Sequence, residues 1–393
     1  MKIEYIIKKG NDLLDYLIDI RRDIHKTPEL AMNEYITREK IKKYLDEIGI
    51  DYLEFDHHRG LMAYIYNKNA KTTVGIRADI DALPIEEKKE TSYKSQNPGV
   101  MHACGHDAHT AMLIGACKLL YDMRDDLNVN VKFFFEAAEE KNGGAKYFVE
   151  DGLMENPKVE YMFGAHVQGY LDIGKIESKY GVLNAGSNSI KIKIRGMRSH
   201  GAYPQNGVDA LVASAHIISS LQSIVSRNLA PEDMAVLTLG SISGGEAGNI
   251  ICENVEINGT IRTLSDDKKE FIIKRMEEVI KNTAVAHRCE AKLIIDKNGY
   301  NPILNDIELV DIIKLNAINF LGKDSFVLKK VPSMGSEDFS EFTKDCKGAF
   351  FHIGCRNESR GITSLIHTNE FDIDERCLSI GAIMHTLNVL KFN

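Results

Sequence analysis

The sequence predicts an α/β protein of two domains, one inserted into the other. Short apolar runs alternate with helical segments through the first 183 residues, and residues 184–297 follow a different, self-contained order. A length of 393 residues accommodates both, since domains typically run to roughly 100–200 residues.

In the first stretch, Leu14, Leu17 and Ile18, then Ile41, Leu45 and Ile48, recur at helical spacing, predicting helices over 12–24 and 34–48. Apolar runs at 61–66, 73–76, 129–135 and 161–165 read as strands, with a helix over 110–123 between the second and third. Such alternation predicts a central, mostly parallel sheet. Residues 189–196, 235–245, 253–264 and 290–296 read as strands, with helices over 209–227 and 266–288. The order β-α-β-β-α-β is that of a ferredoxin-like α+β unit. The outer domain resumes near Asn298, so the expected domains are 1–183 with 298–393, and 184–297. Residues 349–354, AFFHIG, read as a further strand, followed by a loop carrying His367.

Composition excludes several classes of function. A formal net charge of −8 argues against a nucleic-acid groove or an anionic membrane surface, both of which favour basic patches. No apolar run reaches the roughly 18–20 residues that span a bilayer. Glu4 and the lack of an uninterrupted apolar segment argue against a signal peptide. Seven cysteines, odd in number and scattered, suit reduced thiols, so the expectation is a cytoplasmic enzyme.

The stretch MHACGHDAH (101–109) concentrates histidine, cysteine and aspartate. Ligands of open α/β sheets gather beyond the carboxyl ends of the strands. Arg77 to Asp81, Glu139-Glu140 and His166 all follow predicted strands, while Cys104 and His106 sit in a loop before a helix. Cys104, His106, Glu140, His166 and His367 together offer one thiolate, three imidazoles and one carboxylate, a mixture suited to zinc and neighbouring divalent ions. Five ligands exceed a single site that keeps one position open for water. Two ions sharing a thiolate account for them more simply. Taken singly, Cys104 reads as a small buried hydrophobe, Glu139-Glu140 as a solvated helix start, and each histidine as a hydrogen-bonding residue. Their joint placement after strands favours the metal. A cysteine nucleophile at Cys104, activated by a helix N-terminus, is the competing reading. It leaves Glu140, His166 and His367 unexplained. His102 and His109 are expected to form hydrogen bonds near the site, and His57, His58, His216, His287 and His385 to be structural.

The ordered segments GIRADIDALPI (75–85), MHACGHDAHTAM (101–112), AAEE (137–140), GAHV (164–167), SHGAYP (199–204), GNII (248–251), GTIRTL (259–264) and GSEDF (335–339) span nearly the whole chain. In these the chain resembles the metal-dependent amidohydrolases of the aminoacylase and carboxypeptidase family. That group includes hippurate hydrolases, aminoacylases, N-acetyldiaminopimelate deacetylases and auxin-conjugate hydrolases. The resemblance implies a zinc-peptidase-like catalytic domain with an inserted lid and dimerisation domain. It implies that Cys104 bridges two divalent ions, His106 and His166 holding one, Glu140 and His367 the other. The ions would be zinc, manganese, cobalt or nickel. Glu139 would be the general base, Asp79 would orient a ligand histidine, and His200 would stabilise the oxyanion. Asn249 and Arg262 would bind the substrate carboxylate. The family's usual histidine is replaced by Arg77, so His106 supplies the missing imidazole.

Four places depart from the family pattern: Glu136-Ala137-Ala138 where Gln-Pro-Ala is usual, Gln205 for His, Cys252 for Pro, and Thr368-Asn369-Glu370 after His367. The expected activity is metal-dependent hydrolysis of N-acyl-L-amino acids by a homodimer paired through the inserted domain, with neither nucleic acid nor membrane as partner. A dipeptidase or carboxypeptidase is the alternative enzyme, and a catalytically silent metal-binding protein the alternative class.

Overall fold

The computed structural model describes residues 3–296 and 299–393. The chain begins with helices α1 (Ile3–Asp12), α2 (Leu14–His25) and α3 (Tyr35–Ile48). Strands β1 (Tyr52–Glu54), β2 (Leu61–Ile65) and β3 (Thr72–Asp79) lead to α4 (His106–Asp122) and β4 (Val129–Glu136). Short helices α5 (Glu139–Asn142) and α6 (Ala145–Glu150) precede β5 (Tyr161–Asp172), β6 (Ile176–Ser178) and β7 (Gly181–Asn184). Next come β8 (Gly186–Arg195), α7 (Ala210–Asn228), β9 (Ala235–Gly244), β10 (Asn254–Thr263), α8 (Asp266–Ala286) and β11 (Glu290–Ile295). The chain closes with β12 (Ile303–Asn305), α9 (Ile307–Leu321), β13 (Phe326–Leu328), β14 (Lys347–Arg356) and α10 (Arg376–Leu390). Among the described residues no helix is long and apolar enough to cross a membrane.

The chain divides into two compact units. The first comprises residues up to Leu183, Leu304–Val331 and Asp338–Asn393. Its sheet has the order β1-β2-β4-β3-β5-β14-β6-β13. Strands β4, β3, β5 and β14 run parallel, while β2 and β6 are antiparallel to their neighbours β4 and β14. The parallel centre follows from sequence: β4 (VNVKFFFE) is buried along its whole length, as a strand covered on both faces must be. Leu17, Ile20, Leu113, Cys117, Phe133 and Ile383 belong to one buried cluster that joins α2, α4 and α10 to the sheet. Register puts Asp79 beside Glu136 and Arg77 beside Gly164, so β3 and β4 end together while β5 continues past them to Asp172.

The second unit comprises Asn184–Ile303 and Pro332–Glu337. Its antiparallel sheet, β11-β8-β10-β9, carries α7 and α8 over a core that includes Ile192, Ile217, Leu221, Ile257, Ile272 and Met276. The β-α-β-β-α-β order and strand sequence are ferredoxin-like. The domain boundary read at 297/298 lies outside the described residues. Beyond it, Tyr300 pairs with Ser187, and Arg262 donates to the carbonyl of Met334, which ties those segments to the second unit.

Candidate metal centre

Three turns in the first unit aim the predicted ligands. Gly105 stands between Cys104 and His106 with φ +89°, and a Cβ there would meet Val167 Cγ2 at 2.4 Å. Only glycine fits that turn. His106 opens α4 rather than preceding it. After β4, Ala138 adopts φ +65° immediately before Glu139 and Glu140, the first residues of α5. His367 adopts φ +62°, and its N–H donates to the Ala103 carbonyl at 2.7 Å. Left-handed backbone costs a non-glycine residue roughly 1–2 kcal/mol, so the surrounding structure must hold both turns.

Cys104 Sγ lies 3.2 Å from His166 Nε2 and 3.1 Å from His367 Nε2. Glu140 Oε1 is 3.4 Å from His367 Nε2 and 3.9 Å from His106 Nε2. Two triads result, Cys104 with His106 and His166, and Cys104 with Glu140 and His367. Within each triad the ligand atoms all lie within 4.8 Å of one another. Glu139 is buried and forms a further such group with His106 and Glu140.

The ring orientations suit ligation. His166 donates from Nδ1 to the Val167 carbonyl at 2.6 Å, which leaves the Nε2 lone pair toward Cys104. His106 Nδ1 is held by Asp81 Oδ1 at 3.1 Å, while its buried Nε2 has no hydrogen-bond partner. An orphaned buried nitrogen is costly, and a divalent cation would satisfy it. Burial would lower the His106 pKa, but Asp79, Asp81 and Glu140 outweigh it and carry the group to about 10, so the pocket favours positive charge there. Burial and the neighbouring His109 keep His166 neutral. Burial opposes ionisation of Glu140, yet His367 and His106 hold it below the usual carboxylate range. The sulfur, imidazole and carboxylate donors therefore fit divalent ions of the zinc type.

The same electrostatics weigh against a cysteine nucleophile. Burial, then Glu140, Glu139 and Asp79, push the Cys104 thiol well above its ordinary pKa. A nucleophilic cysteine needs the opposite shift.

Asp79 behaves differently from expectation. It holds His109 Nδ1 at 2.6 Å, while its other oxygen is 3.7 Å from His106 Nε2. Asp81, to which the sequence reading gave no role, is the residue bonded to His106, and it also accepts the Glu140 N–H at 3.1 Å. Its place two residues after Asp79 in RADID, just beyond the carboxyl end of β3, was the available signal. His109 makes its expected hydrogen bonds, accepting the Val167 N–H at 2.9 Å through Nε2. His102 does not. It is buried with neither ring nitrogen partnered, and burial, opposed by the Asp107 charge, lowers its pKa to about 3, so the ring is neutral. His57 and His58 both meet Asp151 away from the site, His216 and His287 stack on each other, and His385 lies against Phe351.

The second unit positions the remaining three predicted residues. The Gly201 N–H donates to the Asn249 carbonyl at 2.8 Å, and His200 bridges Ile250, so these two loops are fastened together. His200 Nδ1 accepts the Ala202 N–H at 3.0 Å, which leaves Nε2 as the donor of the neutral ring. Arg262 is half-buried on β10 and donates from Nη1 to the Met334 carbonyl at 2.9 Å. A cavity of about 700 Å³ in this unit is lined by Lys193, Arg195, Arg198, Glu246, Glu253 and Lys292 among others, and gathers none of the predicted site residues.

Comparison with known proteins agrees with this chemistry. The model of peptidase family M20/M25/M40 matches residues 75–390. The chain is 38% identical over 389 residues to IAA-amino acid hydrolase ILR1-like 4 of Arabidopsis thaliana, covering 98% of this chain and 88% of that protein. It is 33% identical over 400 residues to thermostable carboxypeptidase 2 of Saccharolobus solfataricus, covering 100% and 99%. Among solved structures it is similar to YXEP of Bacillus subtilis, described as a dinuclear metal binding peptidase of the M20 family. That similarity has a TM-score of 0.84 and 30% identity, over 97% of this chain and 98% of that one.

Proposed function

Because the chain belongs to peptidase family M20/M25/M40 and is a metal-dependent amidohydrolase, we propose that it cleaves N-acyl-L-amino acids into a carboxylic acid and a free amino acid. The observation that carries this reading is the pair of donor triads sharing Cys104, with Glu139 beside them. The relative named as an IAA-amino acid hydrolase supports the substrate class.

His106 and His166 would hold one ion and Glu140 and His367 the other, with Cys104 common to both; zinc, manganese, cobalt and nickel all accept such donors. When bound, the ions supply a water of lowered pKa and positive charge beside the scissile carbonyl. Glu139, buried beside His106 and Glu140, would act as the proton acceptor for the attacking water and return the proton to the departing amine. Asp81 and the Val167 carbonyl keep the two ligand rings in the required tautomer. His200 Nε2–H is a donor suited to the oxyanion that develops on the carbonyl. Seven free cysteines suit a reducing, cytoplasmic setting.

Arg262, with Asn249, is proposed to read the substrate carboxylate, for which a planar fork of donors is well matched. A hydrogen bond to a charged group contributes about 1.5–3 kcal/mol, so Arg262→Ala is expected to reduce kcat/KM by about 10- to 150-fold. The metal-loaded wild type should disfavour an N-acyl-amino-acid amide by a similar factor, and the variant should lose that preference. A screen of acetyl-, benzoyl- and long-acyl-amino acids with both proteins checks substrate class and reader together. Equal discrimination in wild type and variant would place the reader elsewhere. The 33%-identical carboxypeptidase keeps a peptidase reading in view, and turnover restricted to dipeptides would select it.

The second unit is also the proposed dimer contact, since isologous pairing is the commonest assembly. If His200 serves the partner's centre, mixing inactive His200→Ala chains with inactive Glu139→Gln chains should restore part of the activity. No recovery from a mixture shown to exchange subunits would assign His200 to its own chain.

A further inference from the structure

Beneath the metal centre, one guanidinium faces three carboxyl groups. Arg77 donates from Nε to Glu136 at 2.6 Å, from Nη1 to Asp79 at 2.6 Å, and from Nη2 to Asp338 at 2.9 Å. All four side chains have zero exposure. Asp338 also accepts the Ala145 N–H at 3.1 Å with its other oxygen, so Glu136 and Asp338 converge on one guanidinium. An ionised carboxylate has no donor, so two carboxyl groups can hydrogen-bond each other only when one carries a proton. Charge counting leads to the same place: Asp79 also meets His109 and His106, whereas Glu136 and Asp338 converge on the Arg77 guanidinium, and two buried carboxylates against that one cation would be severely desolvated.

We infer that Glu136 and Asp338 share one proton, and that this proton holds Arg77 in place as the support of the metal-binding end of the sheet. The line of support is continuous. Arg77 fixes Asp79, Asp79 holds His109, and His109 accepts the N–H of Val167, the residue after the proposed ligand His166. Glu136 and Asp338 are thus positioning residues that act through Arg77.

Burial, followed by the charges of Glu136 and Glu139, raises the proton affinity of Asp338 well above that of an ordinary carboxyl, while Arg77 opposes the rise. The groups facing the pair are Arg77 and Asp79 from β3 and Glu139 from α5, with the Ala145 N–H from α6. The family resemblance expects glutamine at position 136. There an amide N–H would make the same bond without a titrating proton.

The test compares metal-loaded wild type with Glu136→Gln and, as a second variant, Asp338→Asn. In the wild type the folded chain keeps a proton that the unfolded chain releases above a pH of about 4, so stability falls as pH rises through that window. Both variants should lose one proton's worth of that slope between about pH 5 and pH 8, together with the infrared band of a buried protonated carboxyl group. Glu136→Gln should also move the alkaline fall of kcat to higher pH. Wild type and Glu136→Gln sharing one stability slope and one infrared spectrum would overturn the inference. Neither readout needs a substrate, so the result is independent of the assigned reaction.

Discussion

Glu139→Gln is expected to lower kcat by about 10²–10⁴ while leaving metal content near that of the wild type, because the change removes a proton acceptor and keeps the shape. Glu140→Gln should instead lose metal, since its oxygen stands between His367 and His106. These adjacent residues leave β4 through one turn, so any general disturbance of that turn would affect both alike. Their separation is therefore the informative result. Metal analysis and single-turnover kinetics on the two variants provide it. Parallel losses of metal and rate in both would show that the division between base and ligand is wrong.

Metal removal should have the other large effect. Chelation is expected to abolish activity, and readdition of a divalent ion to restore it at about two ions per chain. Uptake should release protons, because the Cys104 thiol is held protonated by burial and by Glu140, Glu139 and Asp79, and ligation requires the thiolate. Affinity should accordingly weaken as pH falls. Calorimetry in buffers of different ionisation enthalpy measures the protons directly. Full activity in metal-free protein that a thiol alkylator then destroys would return the site to a cysteine nucleophile.

Much of this site is legible in one dimension because chemistry and topology coincide. Cys104, His106, Glu140, His166 and His367 are each of ligand type and each read from sequence as following a strand or preceding a helix, so an α/β reading sends them to one edge, although His166 lies within β5 and His106 within α4. The inserted unit is legible because its strands and helices keep clean periods over one core. What escapes is long-range or period-free. Asp338 meets Arg77 across 261 residues, and no local pattern announces that pairing. Helix α10 is buried nearly all round, so it lacks the polar face that would mark its turns. Strand β5 continues to Asp172, beyond the apolar run ending at 165, because Val167, Gly169 and Leu171 alternate inward after the ligand. Asp79 and Asp81 could not be told apart as partners of His106, since both stand at the carboxyl end of β3 and the pairing is made with a ring on α4 that is remote in sequence.

Ala138 and His367 bear on how such a centre can be copied. Each holds a left-handed backbone that its own side chain disfavours, and each sets the direction of a predicted ligand or base. A grafted set of five ligands on an idealised scaffold would therefore inherit the right atoms on the wrong vectors. The portable unit is the turn together with the packing that enforces it, which makes β4 with its exit to Glu139, and the Ala103–His367 contact, the smallest pieces that can move to another protein and still aim.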